Sequence, residues 1–197
     1  MPGNPPPFDN ETDGILLYLI QQRDGLRYAA YGLTEDQLRQ RATPSSALTV
    51  GGLLKHCAIT ERGWIDLLAG EATERTEEEY GSDFVVTDDE SGASLLAQLE
   101  ATAARTEEVV RRLPDLEMTV QLPEAPWYPQ NPEGYSARWI LLHVMEELAR
   151  HAGHADIIRE HIDGATMYEL MAGAEGWPAT EWMTPWQPPE ARDAVDA

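Results

Sequence analysis

With 197 residues and 42% apolar side chains, the chain is long enough to bury a substantial core in a single domain. Its formal net charge of -21, from 14 Lys and Arg against 35 Asp and Glu, repels phosphate backbones and anionic lipid, which argues against nucleic acid and membrane surfaces as partners. The single cysteine, Cys57, leaves no internal disulfide framework and no multi-cysteine zinc site, so any metal must rely mainly on nitrogen and oxygen donors. No apolar run is long enough to span a bilayer, and "MPGNPPPFDNETDG" lacks the basic and apolar regions of a secretion signal, so a soluble cytoplasmic protein is expected.

Residues 1–10, rich in proline, are expected to form a flexible arm. From Glu11 to about Tyr31, Ile15, Leu19, Leu26 and Ala30 keep one apolar stripe and predict a first long helix. In "TEDQLRQ", Thr34 and Gln37 are spaced as a capping box for one or two turns. Thr49 can cap a second long helix that runs to about Gly70. The acidic stretch "EATERTEEEYGSDFVVTDDE" has no helical apolar stripe and reads as a solvated loop or short extended piece. Its "TDDE" end is a capping box opening a third long helix, about Ser91 to Leu113, through Leu95, Leu96, Leu99 and Val109.

The linker from Pro114 to Gly134 carries Trp127 and Tyr128 and is long for a loop inside a compact domain, which suggests a crossover connection that covers something. A fourth long helix spans about Ser136 to Ile162 and stops at "DG". A short helix near Met167 to Met171 and a tail with Trp177, Trp182 and Trp186 follow, and burial of those indoles requires the tail to fold back. The expected fold is therefore an all-α four-helix bundle over residues 11–165, with a long crossover linker and an extension, 166–197, packed on it.

Chemistry concentrates on the fourth helix. At about 100° per residue, with His143 as zero, His154 falls at about 20°, Glu147 at about 40°, His151 at about 80° and His161 back at about 0°. Ile140 and Ile158, both at about 60°, share that stripe, so it faces inward and desolvates the imidazoles and the carboxylate. A buried carboxylate needs partners: either hydrogen bonds among these groups or a metal ion, which suits neutral imidazole and carboxylate donors.

A third donor must come from elsewhere, and His56 lies on the apolar face of the second helix with Leu53, Trp64 and Leu67. His56, Glu147 and His151 form the favoured ligand triad. His154 stays open as a replacement for Glu147 or as a group beyond the ion. Arg150 is an unsuitable ligand but a candidate anion clamp. His143 reads as packing or as support for a ligand, and His161 as a cation near a helix end.

The segments "LLKHCAITERGW" and "WILLHVMEELARHAGHADIIREHIDG" resemble the DinB-like superfamily of metal-binding four-helix bundles. The similarity is to an actinobacterial branch next to the mycothiol-dependent transferases and maleylpyruvate isomerases, and it covers nearly the whole chain. It implies a divalent metal, usually zinc, held by one His of the second helix and an i, i+4 pair of the last. It also implies a low-molecular-weight thiol such as mycothiol as cosubstrate, and a homodimer. Members often use two His in the pair, whereas the maleylpyruvate isomerases have Glu followed four residues later by His, the pattern of Glu147 and His151.

The reading that follows is a metal-dependent thiol S-transferase. Three protein ligands leave one coordination position, where a thiol binds as its thiolate and attacks an electrophile. Trp127, Tyr128 and Arg150 are the candidate cosubstrate contacts, with Trp139, Trp177 and Arg62 as further wall and charge candidates. Two other classes remain open: a non-catalytic, stress-related metal-binding bundle, and a metal-dependent hydrolase using Glu147 or Asp156 as base.

Overall fold

The computed structural model describes residues 3–73, 75–122 and 133–188, so Trp127 and Tyr128 lie outside the described residues. Four long helices dominate. The first, α1 (Glu11–Ala30), starts where Asn10 Oδ1 accepts from the Asp13 N–H at 2.9 Å. A one-turn helix, α2 (Glu35–Leu38), carries the expected Thr34 and Gln37 capping box. The next long helix, α3 (Val50–Ala69), is capped by Thr49, whose hydroxyl accepts from the Gly52 N–H, and ends at Gly70 with φ 72°.

The acidic stretch departs from expectation, because it contains a short helix, α4 (Glu77–Ser82). Thr76 and Glu79 close a capping box there, so local side-chain bonding makes a helical turn without an apolar stripe. Thr87 and Glu90 bond each other but do not start the third long helix, α5 (Gly92–Arg112); Ser91, paired with Ser94, caps it. The linker also holds something unexpected: β1 (Thr119–Val120) pairs antiparallel with β2 (Tyr135–Ser136). That ribbon delivers the chain to Ser136, the cap of the last long helix, α6 (Ala137–Asp163), which Gly164 ends at φ 77°.

α1 packs on α6, α6 on α3, and α3 on α5, and the core between them is apolar. Leu19, Leu26, Leu53, Leu54, Ile65, Leu95, Leu99, Ile140, Leu141 and Leu148 are buried in it, each worth about 1.5–3 kcal/mol of transfer free energy. The charged residues Arg23 and Glu61 sit inside that core. Arg23 Nε donates to Glu61 Oε2 at 3.0 Å and Arg23 Nη2 to Glu61 Oε1, while the Thr106 hydroxyl donates to the same Oε1. The pair joins α1, α3 and α5 with its hydrogen bonds made, as a buried charge requires.

The extension follows as α7 (Met167–Glu175), packed on α1. Trp186 returns over it, donating from its backbone N–H to Glu169 O at 2.9 Å. Gly173 permits that approach, since a Cβ there would stand 2.1 Å from Trp186 O. The indole covers the guanidinium of Arg159 at 4.7 Å, and Arg159, fully buried, donates to Asp163 and to the carbonyls of Ala29 and Tyr31. The tail thus folds back through Trp186, whereas Trp182 is 76% exposed, against the expectation that all three indoles are covered.

Candidate metal centre

The packing of α3 on α6 brings His56 to the face of α6 that carries Glu147 and His151. Glu147 Oε2 lies 3.5 Å from His151 Nε2 and 4.0 Å from His56 Nε2, and the donor atoms of all three residues lie within 4.8 Å of one another. The two imidazoles meet edge to face, with ring centroids 4.7 Å apart. These separations are long for hydrogen bonds and near the spacing of about 3.4 Å that donors adopt around a tetrahedral ion with bonds of about 2.0–2.1 Å.

Burial shapes the site's protonation. Desolvation, helped by the neighbouring His151, depresses His56 from 6.5 to about 4. Burial likewise lowers His151, partly opposed by Glu147. Both rings are therefore neutral at neutral pH, the form in which imidazole donates a lone pair to a metal. Cys57 beside them is buried and its thiol is pushed up by desolvation, so it offers no thiolate.

His154 does not join the three converging donors. Its Nδ1 is 3.3 Å from Nδ1 of His151, on the side of that ring away from Glu147. Arg150 is 60% exposed and its guanidinium is held by Glu146 at 2.6 Å. Arg62 is bound in the same way to Asp66. Asp156, considered as a base, lies in a separate cavity with Tyr28, Met167 and Met171. Trp177 lines another cavity, beside Gly173 and Trp186. His161 is exposed and bonds Ile157 O, at the end of α6.

His143 extends the site along α6. It is stacked on Trp139 at 5.4 Å and meets the edge of Trp64 at 4.9 Å, while Tyr135 closes on Trp139 at 4.6 Å. His143, Glu146 and Glu147 also have donor atoms within 4.8 Å. That grouping comes from a single helix and its Glu146 is already engaged by Arg150, so the two-helix group of His56, Glu147 and His151 is the better metal cradle. Glu147, 27% exposed against 15% for His56 and 11% for His151, is its accessible member. Access from solvent thus comes past the carboxylate.

Three features escaped sequence reasoning. Glu61 and Arg23 each lie within the apolar stripe of their helices, a charged residue among Leu and Ile, and that mismatch was the available signal. Phe84 stacks on His56 at 3.9 Å from a segment with no periodicity to reveal it.

The family model of the mycothiol S-transferases matches residues 15–164. The chain belongs to that DinB-like family. The matched span includes most of α1 and all of α3, α5 and α6, and with them the whole histidine cluster. No curated protein matches the chain. Among solved structures, a conserved protein from Enterococcus faecalis aligns with a TM-score of 0.60 at 13% identity, over 80% of this chain and 100% of that one, a likeness of fold. Among the described residues no helix is long and apolar enough to cross a membrane.

Proposed function

We propose that this mycothiol S-transferase family member is a divalent-metal-dependent enzyme that joins the sulfur of mycothiol to an electrophilic small molecule, with His56, Glu147 and His151 as ligands. One observation carries the reading: a single carboxylate oxygen faces the Nε2 atoms of two neutral imidazoles that come from distant parts of the chain. The donor set of two nitrogens and one carboxylate oxygen suits zinc and leaves a coordination position for a further ligand. A cation held there supplies positive charge that lowers the pKa of a thiol and keeps it as the nucleophilic thiolate.

The protein residues do the rest. Burial keeps His56 and His151 neutral, so zinc need not displace protons from them near pH 7. His154 serves as support: with its Nδ1 3.3 Å from Nδ1 of His151, it would accept the Nδ1–H of the tautomer that frees Nε2 for a metal. The half-buried wall of Trp139 and His143 stands beside Glu147 and offers flat surfaces for the non-reacting part of either substrate. Trp127 and Tyr128 remain candidate contacts for the cosubstrate. Arg150, released from Glu146, would be an anion clamp.

Elemental analysis and thiol-consumption assays test this together. Wild type is expected to carry about one zinc per chain and to consume mycothiol in the presence of an activated aryl halide. His56→Ala, Glu147→Ala and His151→Ala are expected to lose both properties. Turnover without added thiol would favour a hydrolase, zinc without thiol-dependent turnover a non-catalytic metal-binding bundle, and a metal-free wild type would remove the reading.

A further inference from the structure

A ring that binds a metal must be held in plane, and the two imidazoles of this site are held differently. His151 has His154 as a polar neighbour at 3.3 Å on its far nitrogen. His56 has the Thr60 hydroxyl at 3.4 Å from Nδ1 and 3.5 Å from Nε2, nearly equidistant, which commits to neither nitrogen. Its ring lies instead against Phe84, with centroids 3.9 Å apart and planes inclined by 17°. The same phenyl ring meets His151 at 5.8 Å.

Phe84 is itself pinned from both sides. The preceding residue, Asp83, is buried and receives both terminal nitrogens of Arg75, at 3.0 and 2.5 Å. The following residue, Val85, gives its carbonyl to Lys55 Nζ at 2.9 Å, and Lys55 also holds Glu90 at 2.9 Å. Lys55, the only lysine in the chain, is the neighbour of His56 on α3. One turn earlier, Gly52 lets the segment lie directly on the helix, since a Cβ there would stand 2.3 Å from Phe84 O.

We propose that Phe84 is a positioning residue of the metal centre: clamped through Arg75–Asp83 and Lys55–Val85, its ring sets the plane of the His56 imidazole toward Glu147 and His151. The inference rests on the metal-binding reading above. It makes the loop between α4 and α5 a functional part of the site, although that loop supplies no ligand. Stacking needs a flat ring, so shape and not bulk is the property that matters.

The test is a zinc titration of the full chain against a chromophoric chelator, using wild type and Phe84→Tyr, Phe84→Leu and Phe84→Ala, with thermal melts of each metal-free protein as a folding control. Phe84→Tyr is expected to bind within about twofold of wild type, and Phe84→Leu and Phe84→Ala about tenfold more weakly or worse, the loss typical of a group that orients a metal ligand. Gly52→Ala, which displaces Phe84 without touching His56, is expected to weaken zinc binding similarly. Leu and Ala variants that fold and bind zinc as tightly as wild type overturn the role of Phe84 and leave the metal site intact. Equal weakening by Tyr and Leu also overturns it, because the flat ring would then not be what counts. A wild type that takes up no zinc removes the metal reading itself.

Discussion

Two polar clusters rooted on α3 interrupt the same core, and they are built to opposite specifications. Around Glu61, each carboxylate oxygen has hydrogen-bond donors, from Arg23 and Thr106, and the residues are shut from solvent. Around Glu147, the nearest imidazole nitrogens stand at 3.5 and 4.0 Å, the rings are neutral, and the carboxylate is part-exposed. A closed network of opposite charges ties helices together, whereas donor atoms that converge at 3.5–4.0 Å stand near the spacing that ligands adopt around a metal ion.

The contrast can be broken most sharply at the closed cluster. Arg23→Met strands a buried carboxylate and is expected to cost about 3–5 kcal/mol in urea unfolding, while Arg23→Met combined with Glu61→Leu recovers most of that loss. Zinc uptake by the double variant should match wild type. A loss of zinc there would mean that the two clusters act as one.

A smaller effect is expected at the open cluster. His154→Ala leaves all three proposed ligands in place and should weaken zinc binding by about tenfold in a chelator competition, through loss of the tautomer-selecting partner of His151. Unchanged affinity would remove His154 from the site.

Acid distinguishes the clusters without mutation. The folded pKa of His56, about 4, is below its unfolded value near 6.5, so neutral His56 contributes stability that is complete above pH 6.5 and lost as the pH falls toward 4. Urea midpoints of the metal-free chain should fall across that window, and His56→Gln should flatten the curve. An unchanged slope would show that another group titrates there.

The smallest effect belongs to Asp156, whose Oδ1 is buried without a hydrogen-bond partner among the described residues. Burial raises it from 3.8 to about 6, so the protonated acid contributes stability below pH 3.8 that is lost as the pH rises through 6. Asp156→Asn is expected to stabilise the chain by about 1 kcal/mol at pH 7.5 and by little at pH 4, measured in the same titration. No change at either pH would place Asp156 in contact with a compensating cation.

The long helices were legible because their apolar residues recur with the helical period and because Thr49 and Gly164 punctuate α3 and α6. The short α4 was not, since its capping box acts over one turn and has no stripe behind it. The β1–β2 ribbon was equally hidden, because two-residue strands leave no alternation to read. At the site, shared helical faces favoured His56, Glu147 and His151 as the triad and left His154 open as a replacement for Glu147 or a group beyond the ion.

The sequence by itself determined which residues share a face, since a helix turns by a constant angle and the pattern of apolar positions says which side is buried. Only the tertiary structure decided how far along neighbouring helices those faces meet. That register pairs His56 with Glu147 and His151, sets His154 behind His151, closes Arg23 on Glu61 and lays Phe84 on His56. The reason is physical: periodicity is a property of one helix, whereas the contact between two depends on their axial offset and on loops, which leave no periodic trace in the chain.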